Sequence, residues 1–158
     1  MQAITSEDIA AALVIWGNGK VAISVAFEDG GIEAARQTAA ANLDAYYGYT
    51  LGPVLFKPTM ASGAQTFRPT REGAVAYFCG HSNDYPLDAG FAIQGWRSIE
   101  SETAAEFIQG DVAMWMGWVS LTDKTGAATK VDKSFGYKRD DAGVLRIVLH
   151  HSSLPYQP

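Results

Sequence analysis

The sequence predicts an α+β domain in which helices come first and a long-stranded antiparallel sheet follows. Two observations carry that expectation. Amphipathic, Ala-rich segments with helix-start signals fill the N-terminal third. In the last third, three turn signals divide the chain: Gln109-Gly110-Asp111, Asp123-Lys124-Thr125-Gly126 and Asp140-Asp141-Ala142-Gly143. Gly and Asp tolerate the backbone angles of tight turns, so each marks a hairpin. The segments between them run to about ten to fifteen residues, longer than the usual strand of about five or six.

Three helices are expected. Thr5 or Ser6 followed by Glu7 and Asp8 opens the first, a hydroxyl cap with acidic residues near the positive end of the dipole. Ile9, Leu13, Trp16 and Ile23 then recur on one face, and Gly17-Asn18-Gly19 weakens the helix without stopping it before about Ala26. Asp29-Gly30-Gly31 ends it, and a second helix covers about Ile32 to Tyr47. Prolines 53, 58 and 69 then punctuate an extended segment with short strands at Val54-Leu55-Phe56 and Gln65-Thr66-Phe67. Thr70-Arg71-Glu72-Gly73 opens a third, short helix through Phe78. Gly80 to Gly90 is a loop, and the long strands begin at about Phe91.

The 158 residues make a single domain, 1–158, with 47% apolar and 18% charged residues. Net charge is −5 and no Lys/Arg stripe appears, which argues against nucleic-acid and anionic-membrane partners. The single cysteine, Cys79, sits among Ala76, Tyr77 and Phe78 and reads as a buried structural thiol. The N-terminus lacks a signal pattern, and no apolar run approaches the roughly eighteen residues of a membrane span. A cytoplasmic protein is expected.

The strand at 112–121 is apolar on both faces: Val112, Met114, Met116 and Trp118 on one, Ala113, Trp115, Val119 and Leu121 on the other. The helices cover one face. A second copy is the simplest cover for the other, so a homodimer is expected, with rings of higher order left open; loops of the same chain are the alternative cover.

The stretch from Leu55-Phe56-Lys57-Pro58 through Glu72-Gly73 to Tyr77-Phe78, and the final Leu145-Arg146-Ile147-Val148-Leu149-His150-His151-Ser152, resemble the nuclear transport factor 2-like superfamily. Within it they look most like calcium/calmodulin-dependent protein kinase II association domains and small stand-alone SnoaL-like bacterial proteins. The resemblance implies a cone-shaped fold, three N-terminal helices packed on a strongly curved antiparallel sheet, with a pocket inside. It also implies that Tyr77 lies near that pocket. The pocket arginines of the association domains fall here at His151 and near Ser134, so an anion clamp of that kind is not carried over.

On the last strand Leu145, Ile147 and Leu149 form the more apolar face and His151 continues it. His151 is therefore expected inward; His150 points outward, to a dimer contact with Arg146 and Trp115. An inward histidine in an apolar cavity serves as a neutral donor or base, or is simply hydrogen-bonded within the fold. Asp132, Ser134 and Gly136 share one face of the preceding strand. If that face lines the pocket, Asp132 and His151 are the candidate acid–base pair; otherwise Asp132, between neighbours Val131 and Lys133 and close to Lys130, is a solvated rim residue. His151, Tyr77, Trp118 and Ser134 are the expected ligand contacts. Adjacent histidines on a strand face opposite ways, so no metal site and no cofactor is expected.

Three function classes stand open on this reading. The first is a homodimer binding a small, mostly apolar molecule in the cone pocket. The second is a cofactor-free isomerase, cyclase or dehydratase, and the third is an assembly module without a ligand.

Overall fold

The computed structural model describes residues 2–158. It contains α1 (Ser6–Tyr46), β1 (Leu55–Lys57), α2 (Arg71–Cys79), β2 (Trp96–Gln109), β3 (Val112–Asp123), β4 (Ala128–Arg139) and β5 (Leu145–Ser153). Two α-helices stand where three were expected. Thr5 caps α1 in a reciprocal box: its hydroxyl accepts the Asp8 N–H, and the Asp8 carboxylate accepts the Thr5 N–H at 2.9 Å. Gly31 does not end the helix. At φ 76 and ψ −165 it introduces a kink, and the helix resumes to Tyr46.

Gly17 and Gly19 lie where the helix is approached most closely. A Cβ on Gly19 would meet the Asn42 carboxamide oxygen at 2.1 Å, and one on Gly17 would meet the Ile99 side chain of β2 at 3.1 Å. The Gly-Asn-Gly sequence therefore trades helix propensity for close packing.

The sheet is mixed, in the order β1-β5-β4-β3-β2, because β1 joins β5 in parallel while the other neighbours are antiparallel. The expected strand at Gln65–Phe67 is absent; a 3-10 turn spans Gly63–Gln65 instead. Both helices lie on one face. Ile9, Leu13, Trp16, Ile23, Ala39 and Leu43 of α1 pack there with Trp115, Val119, Phe135 and Tyr137 of the sheet. One window of α1 has the length and composition of a membrane span, although its apolar residues do not form an unbroken run. Its inward residues form the core just described.

One irregularity decides which side chains face that core. Tyr137 pairs with Ile147, but Gly136 pairs with Leu149, so Val148 is an extra residue on β5. Such a bulge reverses the alternation of side chains beyond it. Ile147 faces inward before it, and His150 and Ser152 face inward after it. His151 is exposed, the opposite of the expectation from strict alternation. On β4 the inward residues are Val131, Lys133, Phe135 and Tyr137. Asp132 and Ser134 lie on the outer face, opposite Trp118 and Met116 respectively.

Candidate functional site

Lys133 stands on the apolar face of β4, between Val131 and Phe135, and is buried. Opposite it on β5 is Ser152, and two pairs further along Phe135 faces His150. The Lys133 amine lies 3.0 Å from both Ser152 Oγ and His150 Nε2. Beyond the imidazole, His150 Nδ1 is 2.9 Å from the Tyr47 hydroxyl, which also accepts the Trp16 indole N–H at 2.9 Å. At the other end Ser152 Oγ is 2.6 Å from Thr59 Oγ1. A row of hydrogen-bonding groups thus runs Thr59–Ser152–Lys133–His150–Tyr47–Trp16 through the core.

The neighbouring chain holds each member in place. Phe56 of β1 stacks on His150 with ring centroids 4.4 Å apart and planes 13° apart, and Phe135 lies at 4.6 Å. Lys57 donates to the Ser152 carbonyl at 2.7 Å, pinning β5 beside Thr59. Tyr77 on α2 is buried, and its hydroxyl accepts the Met60 N–H at 3.2 Å beside Thr59. A buried bidentate pair, Arg68 with Asp88 at 2.7 Å, ties the segment before α2 to the loop after it.

The electrostatics are unusual because two lysines are buried with no carboxylate partner among the described residues. Lys133 is paired with no carboxylate; burial, then the nearby Lys20 cation, pull its pKa down to about 7. Lys20, on the inner face of α1, is also fully buried, and burial brings it to about 7. Its ammonium lies over the rings of Phe78, Trp16 and Tyr47, at 4.5, 5.2 and 5.5 Å. Burial, then Lys133, push His150 well below the ordinary histidine range, so its imidazole is neutral. Burial raises the Tyr47 and Tyr77 phenols, which keep their protons. Cys79 is buried with its thiol pushed up to about 11.

A neutral His150 accepts at one nitrogen and donates at the other, so the row has two self-consistent proton arrangements. With Lys133 charged, it donates to Nε2 and Nδ1–H points to Tyr47. With Lys133 neutral, Nε2–H can donate to the amine while the Tyr47 hydroxyl donates to Nδ1. Lys133 can therefore gain or lose a proton while His150 stays hydrogen-bonded on both sides.

Of the residues nominated from sequence, Tyr77 lies beside Thr59 within this interior. His151, Asp132, Ser134 and Trp118 do not: they face outward, Trp118 with the Lys130 ammonium 4.6 Å from its ring centroid. The expected dimer contacts His150 and Trp115 are buried inside instead. Arg146 caps the end of α1, donating to the Asp44 and Ala45 carbonyls at 2.8 and 2.7 Å and to Asp140 at 2.8 Å. An open groove of about 770 Å³ between α1 and β2, lined by Ser6, Ile9, Leu13, Ile99 and Thr103 among others, includes no member of the row.

Lys20, Lys133, Thr59 and Ser152 were missed, although two left a signal. Lys20 continues the Ile9, Leu13, Trp16, Ile23 face, and Lys133 interrupts Val131, Phe135, Tyr137. A lysine at a core position of an amphipathic pattern marks a buried charge. Among the described residues, no three His, Cys, Asp or Glu side chains cluster as metal ligands.

Comparison with known proteins places this geometry. A family model described as metal-independent carbonic anhydrase matches residues 7–154. A metal-independent carbonic anhydrase of Nostoc sp. (strain PCC 7120) is 49% identical over 156 residues, covering 99% of this chain and 76% of that protein. The crystal structure of a cyanobacterial iota-carbonic anhydrase complexed with bicarbonate superposes with a TM-score of 0.97 at 49% identity, over 99% of this chain and 95% of the other. A calcium/calmodulin-dependent protein kinase II association domain of Xanthomonas campestris shares the fold at 19% identity, with a TM-score of 0.55 over 98% of this chain and 91% of the other. The superfamily resemblance thus holds at the level of fold, while a nearer kinship accounts for nearly the whole chain: it belongs to the metal-independent carbonic anhydrase family.

Proposed function

We propose that this protein interconverts carbon dioxide and bicarbonate without a resident metal, using the Thr59–Ser152–Lys133–His150 row. The observation that carries the reading is Lys133: a buried amine poised near neutrality, with no carboxylate, hydrogen-bonded to a hydroxyl on one side and a neutral imidazole on the other. Hydration needs a base for the water proton and a positive or donor environment for the bicarbonate anion. Lys133 supplies both in succession. Water held at Thr59 and Ser152 attacks the carbon of carbon dioxide; its oxygen forms the new C–O bond as one C=O electron pair moves onto oxygen. The water proton passes through the Ser152 hydroxyl to the neutral Lys133 amine. The resulting ammonium faces the new anion, and the Thr59, Ser152 and Tyr77 hydroxyls offer donors to its oxygens. The spare proton then leaves Nζ through the Ser152 and Thr59 hydroxyls, the half-buried end of the row, while Tyr47 and Trp16 close the buried end and hold His150 in place.

Membership of this family overturns the leading expectation, a binder for a mostly apolar molecule, together with the isomerase, cyclase or dehydratase and assembly-module alternatives. The test is stopped-flow hydration of carbon dioxide in buffer containing a strong chelator. Acceleration over buffer that survives the chelator, and that falls by at least about tenfold in Ser152→Ala, is the expected result. A protein with no activity, or with activity abolished by the chelator, would sink the proposal.

The homodimer belongs to the same proposal, with different contacts. On the sheet face away from the helices, Phe107, Val112, Met114 and Met116 are exposed together, and a groove of about 390 Å³ passes Met114, Met116 and Leu149. This is an apolar patch of the kind that association covers, and a second copy fits it because each face would meet its own like. Met114→Glu is expected to convert a dimer into monomers in light scattering. A wild-type monomer, or a dimer indifferent to the substitution, would remove this face from the assembly.

A further inference from the structure

Lys20 takes no part in the relay, yet it is a fully buried cation without an anionic partner. Its single side-chain hydrogen bond, to Asn42 Oδ1, is long at 3.4 Å. Lys20 and Lys133 approach the same ring: their amines lie 5.2 and 4.9 Å from the Trp16 centroid. Two cations therefore crowd one aromatic side chain in a dry interior. The ionisable group that interacts with Lys20 from α2, Cys79, keeps its proton and supplies no compensating charge. Burying like charges this way is costly unless one is neutralised or converted to an anion.

Resting on the carbon dioxide reading above, we infer that Lys20 is a carbamylation site, at which carbon dioxide adds reversibly to the amine between Trp16, Tyr47 and Phe78. The neutral nitrogen lone pair forms an N–C bond with carbon dioxide as one C=O electron pair moves onto oxygen. One N–H proton is released to the buffer, and the new anion, across the Trp16 ring from Lys133, draws a solvent proton onto that amine. The products are a carbamate anion on Lys20 and an ammonium on Lys133. Two buried amines become an ion pair, and the Asn42 carboxamide offers N–H donors to the carbamate oxygens. The aromatic walls exclude the water that would otherwise favour protonation of the free amine. The site would register carbon dioxide concentration through a covalent change next to the relay, with Lys133 as the responding group.

The test uses protein carrying 15N only in lysine, equilibrated with 13C-bicarbonate at about pH 8. At that pH an ordinary exposed lysine is neutral in only about one molecule in 250, so Lys20 is expected to hold on the order of 100-fold more carbamate than such a side chain. A carbamate 13C resonance coupled to lysine 15N, lost in Lys20→Met, is the expected result. Its absence in the wild type, or its persistence in Lys20→Met, overturns the assignment. Crystals equilibrated with bicarbonate give a variant-free check, since density must extend beyond Lys20 Nζ. Carbon dioxide and bicarbonate equilibrate without a catalyst, so a missing carbamate beside normal hydration rejects this site alone. A protein without hydration activity rejects the functional reading instead.

Discussion

Replacing Lys133 with methionine is expected to lower kcat/KM for carbon dioxide hydration by about 10²–10⁴-fold, the usual contribution of a positioned general base. The side chain is nearly preserved in length, so Phe135 and Trp16 keep a neighbour. What disappears is the single group that joins Ser152 to His150. The pH profile separates this role from a packing role. Wild-type hydration should rise with pH through about 7, as the amine loses its proton, and level off above. The reverse reaction needs the ammonium and should fall over the same interval. In Lys133→Met both directions should lose this inflection. A variant that retains it, or retains more than about a tenth of the activity, would show that another group takes the proton.

Stability is expected to rise with pH above neutrality, an interval in which a protein held by carboxylate ion pairs changes little. Lys20 and Lys133 have pKa values near 7 in the fold and near the ordinary lysine value when unfolded. Between those limits the unfolded chain binds more protons than the native one, so stability rises as pH rises. The gain is about 1.4 kcal/mol per pH unit for each lysine while the interval lasts. Below about pH 7 both amines are protonated in either state and the contribution is fully lost. Denaturant melts from pH 7 to 9 should show the increase, and the double variant Lys20→Met/Lys133→Met should flatten it while raising stability at pH 7. A flat wild-type profile would mean that the interior hydrates these amines. The arrangement fits the general rule that sites hold groups a stability optimum would remove.

Much of the fold was legible because local signals and the global arrangement agreed. The capping box at Thr5, the hairpin turns at Gly110, Gly126 and Gly143, and the long strands between them all stand where the residues indicated. Gly31 misled because a single residue in a left-handed conformation can bend a helix as well as end it. The site was harder to read. Parity along β5 was counted from Ile147 as though the strand were regular, and nothing in Val148 or Leu149 announces an extra residue. The face of β4 that carries Asp132 and Ser134 is the outer one, so Asp132 meets the rim alternative rather than the pairing with His151, while Lys133 between them turns inward. Trp115 and Trp118 changed places for a related reason: both faces of β3 are apolar, so hydrophobicity alone does not say which one meets the helices. Only the pairing of Phe135 with Trp115 and His150 resolves that choice.

The irregularity at Val148 has a consequence for how such proteins diverge. Upstream of it odd-numbered positions of β5 point inward, and downstream even-numbered ones do. Straightening the strand with every residue kept would pair Val148 with Gly136, carry Leu149, His151 and Ser153 inside and turn the present His150 and Ser152 towards solvent, whereas deleting Val148 would leave both inside. The inner chemistry and the outer face are thus two readings of one short segment, separated by a frame rather than by composition. A relative whose strand runs regularly through these positions can keep every letter of this motif and present none of its chemistry, so likeness here carries meaning only once the frame is known.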